Sequence, residues 1–285
     1  MSLWGQRPFL AVRLLGSDGY YPHMGIRSPT HRYEASEELV WTAVLQKPLP
    51  EGWEAPEHPT LIPEEIRLLA ALAFSEGDPW SHGMPVLTLG SARWEENVEE
   101  GFDLTSKDGV ARIDVALGNL RKPGVNPRFQ LRPTRTDEDP VALLENFDSE
   151  DELLLAGVNS LHTAVRLLSP HINELEAASL CLFVAMGAAL EFIRLHLNDA
   201  RGTANTSFAE VHQYLGMVYP AGNVLPDYLE RMYEHRLIAT HPAGRFGEYW
   251  TPPLMVGDIY DLRKHLIVIF RHIILGERPQ LQFDA

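Results

Sequence analysis

INELEAASLCLFVAMGAALEFIRLHL, residues 172–197, is the stretch on which the fold turns. Its apolar residues fall on several faces of a helix rather than along one stripe. A helix of that kind belongs at the centre of a bundle, with neighbours on more than one side. The uncharged run inside it, residues 177–190, is 14 residues long. That is short of the roughly 18 needed to span a bilayer, so the segment reads as a buried helix. The single cysteine, Cys181, lies in this run and excludes a disulfide framework. Its simplest role is core packing.

Working outward, residues 150–168 carry apolar side chains around most of one side and stop before Pro170. After the long helix, Ser207-x-x-Glu210 is a capping-box pattern, in which each side chain satisfies a free backbone N–H of the first turn. It opens a short helix expected to place Phe208, Val211 and Leu215 on one apolar face. Residues 225–240 continue as helix, with Pro226 tolerable in the first turn. Asp258 is placed to cap a last helix, whose Ile259, Leu262, Leu266, Phe270 and Ile273 recur every three or four residues, and Gly276 and Pro279 end it. About five helices with short connections predict an up-down bundle.

Residues 1–135 have a different texture and predict a mixed α/β or β-rich domain, making the chain α+β overall. Residues 9–15 and 39–46 read as strands. Pro63, followed by Glu64 and Glu65, starts a helix that continues over residues 66–74. Ile113, Val115 and Leu117 alternate with Arg112, Asp114 and Ala116, which predicts a strand with one face buried and one wet. Five of the six tryptophans fall at or before Trp94 and are expected to fill the core of this half. Residues 132–140, RPTRTDEDP, read as a linker to a helical domain over residues 148–277.

The formal net charge of −15 excludes a broad basic platform for nucleic acid. It leaves room for a small site that handles RNA transiently. The first residues, MSLWGQRPFL, lack a basic start followed by an apolar core. No secretory signal is therefore expected, and a cytoplasmic location is. No Gly-rich phosphate loop, G-x-S-x-G elbow or zinc-ligand spacing occurs. Asp258, Asp261 and His265 share a helix face, but an acidic helix N-terminus in solvent explains them better than a metal, so no metal or cofactor is expected.

The candidate chemistry lies in YEHRLIATHP, residues 233–242. Arg236 and His241 are five positions apart. With 20 arginines and 12 histidines, about one Arg-x4-His match arises by chance, and two occur. In the other, Arg166 and His171, Pro170 breaks the helix before the histidine. Around Arg236, by contrast, Leu229, Met232 and Tyr233 place the arginine on or beside the apolar stripe of its helix. His241 stands at the helix end because it precedes Pro242. On an ideal helix the two would be about 140° apart. They converge only if the last turn unwinds or two chains meet.

The order of elements then resembles the HEPN superfamily: a long apolar helix ending in AALEFI with Glu191, a short helix, a Tyr/Arg-bearing helix closing on His-Pro, and a final apolar helix. YEHRLIATH resembles that family's Arg-x4–6-His motif, and the likeness covers residues 148–277. It implies a HEPN-like bundle acting as a homodimeric, metal-independent endoribonuclease, of a kind found among toxins and antiviral (phage-defence) effectors. It further implies Arg236 and His241 as catalytic residues, RNA as substrate, and an antitoxin protein as a possible partner. The family's polar residue after the arginine is Leu237 here. Arg245, Tyr249 and Trp250, in the insert before the last helix, are candidates for weak substrate contacts. The competing reading is a non-catalytic interaction or nucleotide-binding protein built on the same bundle.

Overall fold

The computed structural model describes residues 7–16, 19–49, 61–75, 89–95, 98–121, 130–133, 140–168, 174–218, 224–240, 254 and 256–276. The fold is α+β. Two compact units divide the elements, the change falling between Leu144 and Glu145.

The first unit contains the strands β1 (Phe9–Leu15), β2 (Tyr20–His23), β3 (Gly25–Arg27), β4 (His31–Ala35) and β5 (Val40–Gln46), then helix α1 (Pro63–Phe74) and strand β6 (Leu89–Glu95). Helix α2 (Lys107–Leu120), strand β7 (Gln130–Pro133) and the start of helix α3 (Pro140–Asn146) complete it. Five strands form an antiparallel sheet in the order β3-β4-β5-β1-β6, and β2 pairs with β7 in parallel. The strands expected at residues 9–15 and 39–46 are therefore β1 and β5, neighbours near the middle of the sheet. The segment read as a linker overlaps β7 at Arg132 and Pro133 and α3 at Pro140.

Strand alternation gives the sheet two different faces. On one, Leu10 and Val12 of β1 and Trp41 and Ala43 of β5 pack against Ile113, Ala116 and Leu117 of α2. The opposite face turns Arg13 of β1 toward α1, where Glu65 receives its guanidinium through two hydrogen bonds of 2.8 Å. His31 Nε2 lies 2.8 Å from Glu64 on the same helix, and Gln46 Oε1 accepts from the Glu64 backbone N–H. Glu65 also accepts from the backbone N–H of Ile62, closing the first turn of α1. Of the tryptophans, Trp41 is buried and Trp94 half-buried. Trp4, Trp53 and Trp80 lie outside the described residues.

The segment around Ile113 is a helix and not the strand that alternation predicted. Ile113 and Leu117 are four apart as well as separated by even steps, and Ala116 completes the helical set on the buried side. Val115, which the strand reading would bury, is 61% exposed. The deciding signal is upstream. Ser106 caps the helix by accepting from the Gly109 N–H at 2.9 Å, and Asp108 sits in the first turn.

The second unit is helical: α4 (Glu152–Leu167), α5 (Leu175–Arg201), α6 (Phe208–Val218), α7 (Val224–Thr240) and α8 (Val256–Leu275). Asp151 caps α4 by accepting from Leu154 N at 2.9 Å. The 27-residue α5 packs against each of the other four and ends at Gly202, whose φ of 64° needs no Cβ. By length and composition α5 could cross a membrane, yet 56% of its most apolar window is buried inside the protein. Ser207 and Glu210 form the expected reciprocal cap, with Ser207 N donating to Glu210 Oε2 at 2.8 Å. Asp258 does not cap the last helix. That helix starts at Val256, so Asp258 falls in its first turn, where its carbonyl accepts from Tyr228 Oη at 3.0 Å.

Candidate functional site

Helix α7 carries Arg236 near its C-terminal end. Tyr228, Leu229 and Met232 are buried, Tyr233 and Arg236 are half-buried, and Glu230, Arg231, Glu234 and His235 are exposed. The arginine thus continues the edge of the buried stripe, at positions 229, 232, 233 and 236. Its guanidinium reaches α5 at Gly187. A Cβ placed on Gly187 would stand 3.2 Å from Nη1 and 3.7 Å from Cζ of Arg236. The guanidinium carbon also lies 5.6 Å from the centre of the Tyr233 ring, within cation–π range. The guanidinium thus lies beside a position on α5 that has no side chain and over an aromatic ring of its own helix. His241, Arg245, Tyr249 and Trp250 lie outside the described residues, and the backbone of α7 is helical up to Thr240.

Glu191, one turn beyond Gly187 on α5, is engaged along its own helix. Arg194 Nε donates to its Oε2 at 2.7 Å. That hydrogen bond holds the carboxyl below the usual glutamate range and raises the arginine in turn.

Tyr233 has a second neighbour. Its ring centre is 5.9 Å from that of Phe208 on α6, the planes tilted by 36°. Beside this pair is a cleft of about 460 Å³ lined by Phe208, Ala209, His212, Glu230, Tyr233 and Glu234. Sequence reading placed Phe208 on the apolar face of α6 with Val211 and Leu215. Those two are buried, whereas Phe208 is 42% exposed at the rim. Phe208 is the first residue of α6, three before Val211, and its ring turns to α7 instead of the core. His212 Nε2 is buried without a hydrogen-bond partner among the described residues. Burial depresses the His212 pKa, with Glu230 pulling the other way. Of the cleft residues, sequence context singled out Tyr233 and Phe208, the latter for the core, and left Ala209, His212, Glu230 and Glu234 unmarked.

The remaining histidines are dispersed. His162 on α4 and His265 on α8 are buried, and burial lowers each to about 4. His265 packs against the Tyr228 ring at 4.8 Å. His272 lies 3.1 Å from Tyr214 Oη beside a small cavity of about 200 Å³ that His196 also lines. Asp258, Asp261 and His265 do not assemble, and no group of three or more metal-ligating side chains occurs among the described residues.

No family model, curated protein or solved structure matches the chain.

Proposed function

We propose that the chain is a metal-independent endoribonuclease of HEPN type that acts in the cytoplasm as a homodimer, with Arg236 and His241 as its catalytic residues. The observation that carries this reading is the seating of Arg236. Its guanidinium lies beside Gly187 of α5 and over the Tyr233 ring, five residues before His241 in the sequence. An arginine seated where two helices meet suits a group that stabilises a developing charge, because such stabilisation works best when the donor is positioned in advance. Supporting it is the order of elements: a long central helix, a short capped helix, the Arg-bearing helix and a final apolar helix.

In the proposed reaction the 2′-OH of RNA attacks the adjacent phosphorus. The bond to the 5′ oxygen breaks, leaving a 2′,3′-cyclic phosphate on one product and a 5′-OH on the other. His241 takes the proton from the 2′-OH, and the His241 of a second copy gives one to the leaving oxygen. A single histidine per chain makes the dimer chemically useful. Arg236 offers its planar fork of donors to the non-bridging phosphoryl oxygens. By analogy with one oxyanion donor, that contact contributes about 3 kcal/mol to the transition state. A toxin or antiviral role, restrained by an antitoxin protein, fits such an activity.

The test is cleavage of RNA in EDTA by wild type, Arg236→Ala and His241→Ala. Cleavage by the wild type alone, with cyclic-phosphate ends, supports the reading. Equal cleavage by all three removes both residues from the mechanism.

A further inference from the structure

The cleft between α6 and α7 has features that a phosphate-handling site alone does not call for. It is acidic, through Glu230 and Glu234, and it is aromatic, through Phe208 and Tyr233. Two carboxylates repel a phosphate backbone. They accept hydrogen bonds from the N–H groups of a base edge. An exposed aromatic ring beside a second ring offers the face on which an unpaired base stacks. The volume, about 460 Å³, is within the usual range for a small-molecule site. Tyr233 is also the ring against which Arg236 lies, so the cleft adjoins the proposed catalytic arginine.

We infer that this cleft is a nucleobase subsite and that it selects guanine. The base stacks on Phe208 and Tyr233, and its Watson–Crick edge, with N1–H and the exocyclic amino group side by side, donates to Glu230 or Glu234. Uracil presents one N–H between two carbonyls, which the carboxylates repel. Adenine and cytosine each offer an amino group next to a ring acceptor, so they satisfy one carboxylate oxygen and not two.

The inference deepens the nuclease reading by naming the nucleotide bound beside the arginine. Its test needs no cleavable bond. The full chain is titrated with the 5′-monophosphates of guanosine, adenosine, cytidine and uridine by calorimetry. The expected order puts guanosine monophosphate first, at least tenfold tighter than uridine monophosphate. Phe208→Ala, at an exposed position, is expected to weaken guanosine monophosphate about tenfold, the loss of one stacking surface. The double variant Glu230→Gln/Glu234→Gln is expected to bring guanosine and uridine monophosphates within threefold of each other. Equal binding of all four nucleotides, no binding at millimolar concentration, or unchanged binding by both variants would overturn the subsite. The two proposals fail separately. Selective guanosine monophosphate binding without RNA cleavage leaves the subsite and removes the nuclease. Cleavage that ignores guanine and both variants does the reverse.

Discussion

Gly187 and Arg236 are complementary: the arginine's guanidinium occupies the space that any larger residue at 187 would begin to fill. A Cβ added at 187 would lie 3.2 Å from Nη1, closer than ordinary van der Waals contact.

Gly187→Ala therefore separates stability from function. Alanine in a helix interior is favoured over glycine by about 1 kcal/mol. The substitution is expected to leave the denaturation midpoint unchanged or slightly raised. It also forces the guanidinium to shift by a few tenths of an ångström, and RNA cleavage is expected to fall about tenfold. Parallel unfolding curves and cleavage rates test this. A variant that is less stable and fully active would contradict it.

Stability should fall in mild acid through His162 and His265. Both are held near pKa 4 by burial, against 6.5 for an ordinary histidine. Below pH 6.5 the unfolded chain takes up protons that the folded chain refuses. Stability is therefore full above about pH 6.5 and declines as the pH falls toward 4, by up to about 3 kcal/mol per group. Urea midpoints at pH 7.5 and 5.0 measure the decline. His162→Leu should reduce the difference between the two pH values by about half.

In the first unit, Arg13→Met is expected to cost about 3–5 kcal/mol, because it leaves Glu65 charged and buried without its partner. Arg13→Met combined with Glu65→Leu should recover most of that loss, since an apolar pair of similar volume avoids desolvating two ions. Glu65 also accepts from Ile62 N, so recovery falls short of complete. Chemical denaturation of the two variants checks the non-additivity.

The helical reading of residues 107–120 gives a contrast between two positions two apart. Val115→Asp, on the exposed side of α2, is expected to change stability by less than about 0.5 kcal/mol. Ile113→Asp puts a charge into the core made with Leu10, Val12 and Trp41 and is expected to unfold the unit. Circular dichroism of both variants decides. Similar damage from the two would return the segment to a buried strand.

How far the sequence could be read depended on whether its local pattern had one solution. The long helix α5 was legible because its apolar residues cover several faces, and the cap at Ser207 because its chemistry is local. Ile113-x-Val115-x-Leu117 fits both period 2 and an i, i+4 pair, so the choice fell to Ser106, a cap that alternation does not register. At the candidate site, Leu229 and Met232 placed Arg236 beside the buried stripe of α7. The cleft was not legible. Phe208 and Tyr233 come from helices that meet only through tertiary packing, and no spacing encodes their approach. The same holds for Gly187, which in the sequence is one more small residue in an apolar run.

The opposite faces of the first unit's sheet have a consequence for how that sheet assembles. Nearly every residue of β1, FLAVRLL, is apolar, and both of its faces are covered. Hydrophobicity by itself then barely distinguishes the native pairing with β5 from one displaced by a residue. Arg13 breaks that tie. A one-residue slip would drive its charge among Trp41, Ile113 and Leu117 and set a leucine opposite Glu65. One buried ion pair thus acts as a registration key, penalising a mispaired strand that leucine and valine would accept.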